Sequence, residues 1–153
     1  MKPIRVERTV AAPPERVWAI VTDLERSPTV IEGIERVERL DDGLGFGVGT
    51  RWRETRTIFG REATEVMEIA AVEPGRSYVA TANSRGMQYR TEVGVEAAGA
   101  GASRLWTTMS GEAEGAVTRV VGALLGPFFR SATRKLLAKD LDDIAAAAEA
   151  AGG

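Results

Sequence analysis

Two stretches of the chain place charged groups at strand spacing beside large apolar ones. Trp52, Glu54 and Arg56 alternate along Thr50 to Ile58, so they share one face of an extended segment. Glu65 and Met67 share a face of the next segment, Arg61 to Val72. A carboxylate whose pKa is raised by burial can act as a general acid or base, which makes Glu54 and Glu65 the catalytic candidates. A neighbouring arginine can orient a ligand's carboxylate, carbonyl or hydroxyl, or stabilise an enolate. Tyr78 and Tyr89 are candidate proton donors. Two readings stay open. Glu54 and Arg56 are either the polar floor of a cavity or a cross-strand ion-pair ladder on the wet face. Arg8 poses the same question, because it shares its register with Ile4, Val6 and Val10 and a bulge can reverse a side chain.

The composition removes several other chemistries. There is no His, hence no Ser-His triad, no histidine metal ligand and no imidazole acid–base group. There is no Cys, hence no disulfide, thiolate metal site or cysteine nucleophile. Lys and Arg number 20 against 22 Asp and Glu, for a net charge of −2, so the basic surplus of a nucleic-acid binder is missing and nucleic acid is not an expected partner. The run Gly43-Leu44-Gly45-Phe46-Gly47-Val48-Gly49 has Val48 where a dinucleotide fingerprint needs glycine, and strand residues follow it; it reads as a flexible hairpin loop, with Phe46 as a gating candidate. Asp140, Asp142 and Asp143 read as a solvated helix face. No acidic cluster has the spacing of a calcium loop, so neither a metal nor a cofactor is expected.

The elements follow from periodicity. Ile4 to Val10 alternates as a strand. Pro13-Pro14 opens a short helix over Glu15 to Thr22, since proline suits a first helical turn, and Thr29 to Ile31 allows one more helical turn. A period of two then marks Gly33 to Leu40, Thr50 to Ile58, Arg61 to Val72, Ser77 to Asn83, Met87 to Val95 and Arg104 to Ala113, joined by short turns at Gly60, Pro74-Gly75 and Ser84-Arg85-Gly86. From Val117 to Ala150 the period returns to that of a helix, and Gly126-Pro127 predicts a kink or break in it. The predicted class is α+β: a curved antiparallel sheet of about seven strands wrapped around a long C-terminal helix, with one or two short helices after the first strand.

On the penultimate strand Met87, Tyr89, Thr91, Val93 and Val95 should face inward, opposite Gln88, Arg90, Glu92 and Gly94. Leu105, Thr107 and Met109 are the matching set on the last strand, with Trp106 disturbing the parity. A sheet curled around a helix with few aromatics inside leaves space, and retained space suggests use. The predicted lining is Trp52, Glu54, Arg56, Met67, Tyr89, Thr91, Val93, Leu105, Thr107, Met109 and, from the long helix, Leu124 and Phe128. The apolar run Val117 to Phe129 is the helix's buried stripe, a cover for the pocket mouth, or a dimer contact.

The stretch Ala12-Pro13-Pro14-Glu15-Arg16-Val17-Trp18-Ala19 resembles the opening of the START/Bet v 1-like superfamily, an apolar strand followed by an A-P-x-E-x-V-W helix start. Asp23, Pro28, Gly49-Thr50-Arg51-Trp52, the Glu73-Pro74-Gly75 turn and the long terminal helix follow in that family's order, and the branch it is most similar to is polyketide cyclase/dehydrase and lipid transport. The resemblance covers nearly the whole chain. It implies a helix-grip fold, one ligand-binding domain over residues 1–151, and a cavity between sheet and helix. Members of the superfamily include binders of lipids, sterols and hormones as well as cyclases, and fold alone does not choose among them. The expected function is binding, transport or sequestration of a small hydrophobic molecule such as a lipid, sterol or polyketide. The alternatives are a cyclase or dehydratase working through cavity Glu, Arg and Tyr groups, and a non-catalytic interaction domain. The N-terminus carries no apolar signal core, and Val120 to Phe129 is about half the roughly 20 residues a membrane helix needs. The expectation is a cytoplasmic monomer or homodimer without integral membrane association.

Overall fold

The structure, a computed structural model, describes residues 2–84, 86–113 and 115–152, with the side chains of 116–125 outside the description. The alternation at the N-terminus gives β1 (Ile4–Val10), whose Ile4 and Val10 are fully buried. Pro14 starts α1 (Pro14–Val21). A 3-10 turn (Leu24–Arg26) and the single helical turn α2 (Ser27–Val30) follow, more helix than the sequence predicts between Asp23 and Ile31. Ser27 and Thr29 hydroxyls donate to the carbonyls of Leu24 and Arg26 at 2.7 and 2.6 Å, which ties these short turns to each other.

Six strands then run as consecutive antiparallel neighbours: β2 (Ile34–Arg39), β3 (Arg51–Ile58), β4 (Arg61–Glu73), β5 (Ser77–Ser84), β6 (Met87–Ala97) and β7 (Ser103–Ala113). β1 pairs with β7, so the sheet order is β1-β7-β6-β5-β4-β3-β2. Register shifts at Ile34/Arg36 and at Ile69/Ala71 are the irregularities that help such a sheet bend. Ser84 already pairs with Met87, so the β5–β6 hairpin loop is tighter than predicted.

The parity problem at Trp106 resolves on the outer face of the sheet. Trp106 is opposite Gly94, and a Cβ on Gly94 would lie 2.0 Å from the indole ring. Glycine therefore makes the bed for the ring, and the Arg5 guanidinium covers it at 5.2 Å. Trp106 faces outward while Leu105, Thr107 and Met109 keep the inner face.

The inner face grips α3 (Ala116–Ala150), a 35-residue helix that continues through Pro127. The predicted interruption at Gly126-Pro127 is not a break. Pro127 is exposed, so water can replace the hydrogen bond that proline removes. One end of the grip is packed solid by Val10, Val17, Val95, Leu105, Leu141, Ala145 and Ala148. A second cluster of Leu24, Trp52, Ile69 and Ala80 packs with Phe46 and Tyr78 beneath the β2–β3 connection. At the other end the grip opens.

Candidate functional site

Between the concave face and α3 lies a cavity of about 320 Å³. Its walls come from the inner positions of β3 to β7, the α1–α2 region and one stripe of α3. Many of the wall residues are small: Ala63, Ala80, Ala82, Thr91, Thr107, Ala132 and Thr133 leave the volume that larger side chains would fill. Phe59 and Phe129 line the cavity and are also 78% and 40% exposed, which places its opening between the β3–β4 turn and the first half of α3. Phe59 has φ 51° and Gly60 φ 76°. Ile58 pairs with Arg61, so this is a two-residue turn with both central residues left-handed, a conformation that suits Asn-Gly far better than Phe-Gly.

The polar end of the cavity is built around Arg56. Its Nε donates to Glu54 Oε2 at 2.8 Å, its Nη2 to Asp140 Oδ2 at 2.8 Å and its Nη1 to Asp140 Oδ1 at 3.3 Å. The Trp52 indole N–H donates to Glu54 Oε1 at 3.3 Å. The side chains of Arg56, Glu54 and Asp140 are 18%, 15% and 15% exposed, so this triad works in a largely desolvated setting. Burial pushes the Asp140 carboxyl above its usual range, against the pull of Arg56. Burial also opposes the Arg56 charge, but Asp140 and Glu54 outweigh it and raise the Arg56 pKa. Tyr78 is raised as well, first by burial and then by the negative charge of Glu54 and Asp140, so its phenol stays protonated. Its ring is held edge-on by Phe46 at 5.0 Å and Trp18 at 6.4 Å. Across the β3–β4 ladder Glu65 is the direct partner of Glu54 and also lines the cavity.

Most of the predicted lining residues meet here. Trp52, Glu54, Arg56, Met67, Tyr89, Thr91, Val93, Thr107 and Met109 all face the cavity, as does Glu65. Of the two readings for Glu54 and Arg56, the inward one holds, and the pair is not a ladder on the wet face. Leu105 does not line the cavity. It sits where α3 packs directly on β1, β6 and β7, and it is fully buried in that core. Phe128 does not line it either. It is 78% exposed, because the inward stripe of α3 runs through Phe129, Ala132, Thr133, Leu136, Leu137 and Asp140, one residue out of phase with Phe128. The Leu124 side chain lies outside the described residues, as does most of the Val117 to Phe129 run. Phe46 packs on Tyr78 in the second core cluster and does not line the cavity. Arg8 faces α3 and pairs with Asp142 outside the cavity.

Asp140 is the member of the polar cluster that the sequence reading missed. Read with Asp142 and Asp143 it looks like part of a wet face, yet it falls in the same helical stripe as Leu136, Leu137, Leu141 and Ile144. Asp142 is exposed and pairs with Arg8, whereas the Asp143 side chain is only 15% exposed, pairing with Lys139 and accepting from the Glu32 backbone N–H. Among the described residues no group of three acidic side chains is arranged to hold a metal, and no helix is long and apolar enough to cross a membrane.

A curved seven-stranded sheet gripping a long C-terminal helix over a cavity defines the START/Bet v 1-like fold. The family "polyketide cyclase/dehydrase and lipid transport" matches residues 1–149, and the chain belongs to it. No curated protein matches the sequence significantly. Among solved structures, the protein TTHA0849 from Thermus thermophilus is similar with a TM-score of 0.80 and 20% identity, over 99% of each chain. The Zhui aromatase/cyclase from Streptomyces sp. R1128 is similar with a TM-score of 0.80 and 20% identity, over 99% of this chain and 98% of its own. A START superfamily protein from Mycobacterium smegmatis follows with a TM-score of 0.61 and 16% identity, over 90% of this chain and 97% of its own. At these identities the likeness is one of fold.

Proposed function

We propose that the protein binds a small, mostly hydrophobic molecule in the cavity, with its polar end toward the Glu54–Arg56–Asp140 cluster. The observation that carries this reading is the cavity itself: about 320 Å³ of mainly apolar space with a few convergent polar groups at one side. Interiors normally pack to crystal density, so a volume of this size kept open by small wall residues fits a binding role better than a filled core. Trp52, Met67, Tyr89, Thr91, Val93, Thr107 and Met109 supply the walls in this account, and Arg56 holds the carboxylates in place. Titration with the neutral dye Nile red tests it. Wild type should give saturable fluorescence enhancement, and Ala132→Phe, which fills the cavity from α3, should lose it while keeping its circular dichroism. A folded wild type without saturable binding overturns the reading.

A second reading, a cyclase or dehydratase, is favoured by one feature. Glu65 reaches the cavity opposite Glu54 without an ion pair or hydrogen bond among the described residues. Such a carboxylate is free to take a proton from a bound carbonyl compound. The similarity in fold to an aromatase/cyclase accords with this. On this reading Glu65→Gln keeps ligand binding and loses turnover of a polyketone substrate; equal turnover in both proteins dismisses it.

A further inference from the structure

We infer that the polar end of the cavity selects a ligand that donates hydrogen bonds and carries no negative charge. This rests on the binding reading and goes beyond it by naming the ligand's polar chemistry. Among the described lining residues the cavity holds three carboxylates, Glu54, Glu65 and Asp140, against one guanidinium, Arg56. That guanidinium is already engaged: Nε donates to Glu54, and Nη1 and Nη2 donate to Asp140. An arginine so held is a poor receptor for an incoming carboxylate, which would also enter the field of an acidic surplus in a low-dielectric space.

Glu65 gives the surplus its direction. It stands directly across the ladder from Glu54, and like charges at such a position destabilise a sheet. Glu54 has its partners in Arg56 and Trp52. Glu65 has none among the described residues, although it lines the cavity. A hydroxyl or ammonium group placed there donates to Glu65 and offsets the like-charge contact. A carboxylate there has no donor for Glu65 to accept from and adds a further negative charge.

The test uses one alkyl chain with three ends, 1-decanol, decylamine and decanoate, each competing with Nile red on the wild type and on Glu65→Gln. Decanol and decylammonium should displace the dye at concentrations at least about tenfold lower than decanoate, on the scale where tenfold is about 1.4 kcal/mol. Glu65→Gln should narrow the gap between decylammonium and decanoate. Decanoate as the strongest competitor overturns the inference while leaving hydrophobic binding intact. A gap unchanged in Glu65→Gln also overturns it, because the selection then does not come from Glu65. If Nile red itself does not bind, the cavity reading fails and this inference falls with it.

Discussion

Arg56 on β3 and Asp140 on α3 meet through two parallel hydrogen bonds, at 2.8 and 3.3 Å, across 84 residues of sequence. The contact joins the sheet to the helix over the cavity. The same guanidinium holds Glu54 at 2.8 Å, so one cation satisfies two carboxylates in a largely water-free setting.

Removing that cation should therefore cost much more than a surface ion pair does. Arg56→Met leaves Glu54, Asp140 and Glu65 facing one another without compensation, and should destabilise the protein by about 3–5 kcal/mol, the range for breaking a buried pair. The triple change Glu54→Leu, Arg56→Met, Asp140→Leu removes the charges together and should recover most of the loss, since buried ion pairs are commonly replaceable by apolar groups. Urea unfolding of the wild type, the single variant and the triple variant measures both steps. An Arg56→Met protein as stable as wild type contradicts this account of the cluster.

The raised pKa of Asp140 has a definite sign for stability against pH. The groups that bear on it are Arg56 and Glu54 from β3 and Asp143 from its own helix, with burial as the largest influence. The native state holds this proton more tightly than the unfolded chain, so Asp140 favours folding most when protonated. That contribution is lost as pH rises from the ordinary carboxylate value of about 4 through the raised native value. Asp140→Asn has no proton to lose. The stability of wild type relative to Asp140→Asn should thus fall as pH rises through that window, in melting experiments run from acid to neutral pH. A difference that grows with pH instead would show that Arg56, and not burial, dominates the Asp140 carboxyl.

Phe59 is an aromatic in a backbone position meant for asparagine or glycine, at φ 51° and at the rim of the cavity. A left-handed conformation costs an ordinary residue roughly 1–2 kcal/mol. Phe59→Asn should leave the melting temperature unchanged or higher, because the ring is mostly exposed and little packing is lost. It should also speed ligand release, because the ring stands at the opening. Stopped-flow dissociation of Nile red measures the second effect. A destabilised variant with unchanged release would place Phe59 in the fold and not in the gate.

The fold was legible in the sequence because its elements obey simple periods. Alternation along β1 and from β2 to β7 marks the strands, and the 3.6 repeat marks α3. Even the awkward Trp106 obeys the alternation, since Gly94 opposite it leaves room for the ring on the outer face. The pair Glu54 and Arg56 was legible through Trp52, whose bulk had to be buried on the same face. The remaining errors have one physical source. Sequence gives the period of a helix but not its rotation against a sheet. Phe128 and Phe129 are adjacent aromatics, about 100° apart around the axis at 3.6 residues per turn, and only packing decides which one turns inward. Asp140 was hidden by its acidic neighbours, although its spacing from Leu136 and Ile144 places it in the buried stripe. Leu105 has the right parity but the wrong depth, because the helix touches the sheet there and leaves no space.

The central claim is that the cavity takes up a small hydrophobic molecule. Native mass spectrometry of the purified protein, alone and after incubation with 1-decanol, tests it most directly when run beside Ala132→Phe. The account predicts one added small molecule on the wild type, carried from the cells or taken up as decanol, and the bare chain mass for the filled variant. The bare mass for folded wild type in both conditions would contradict it.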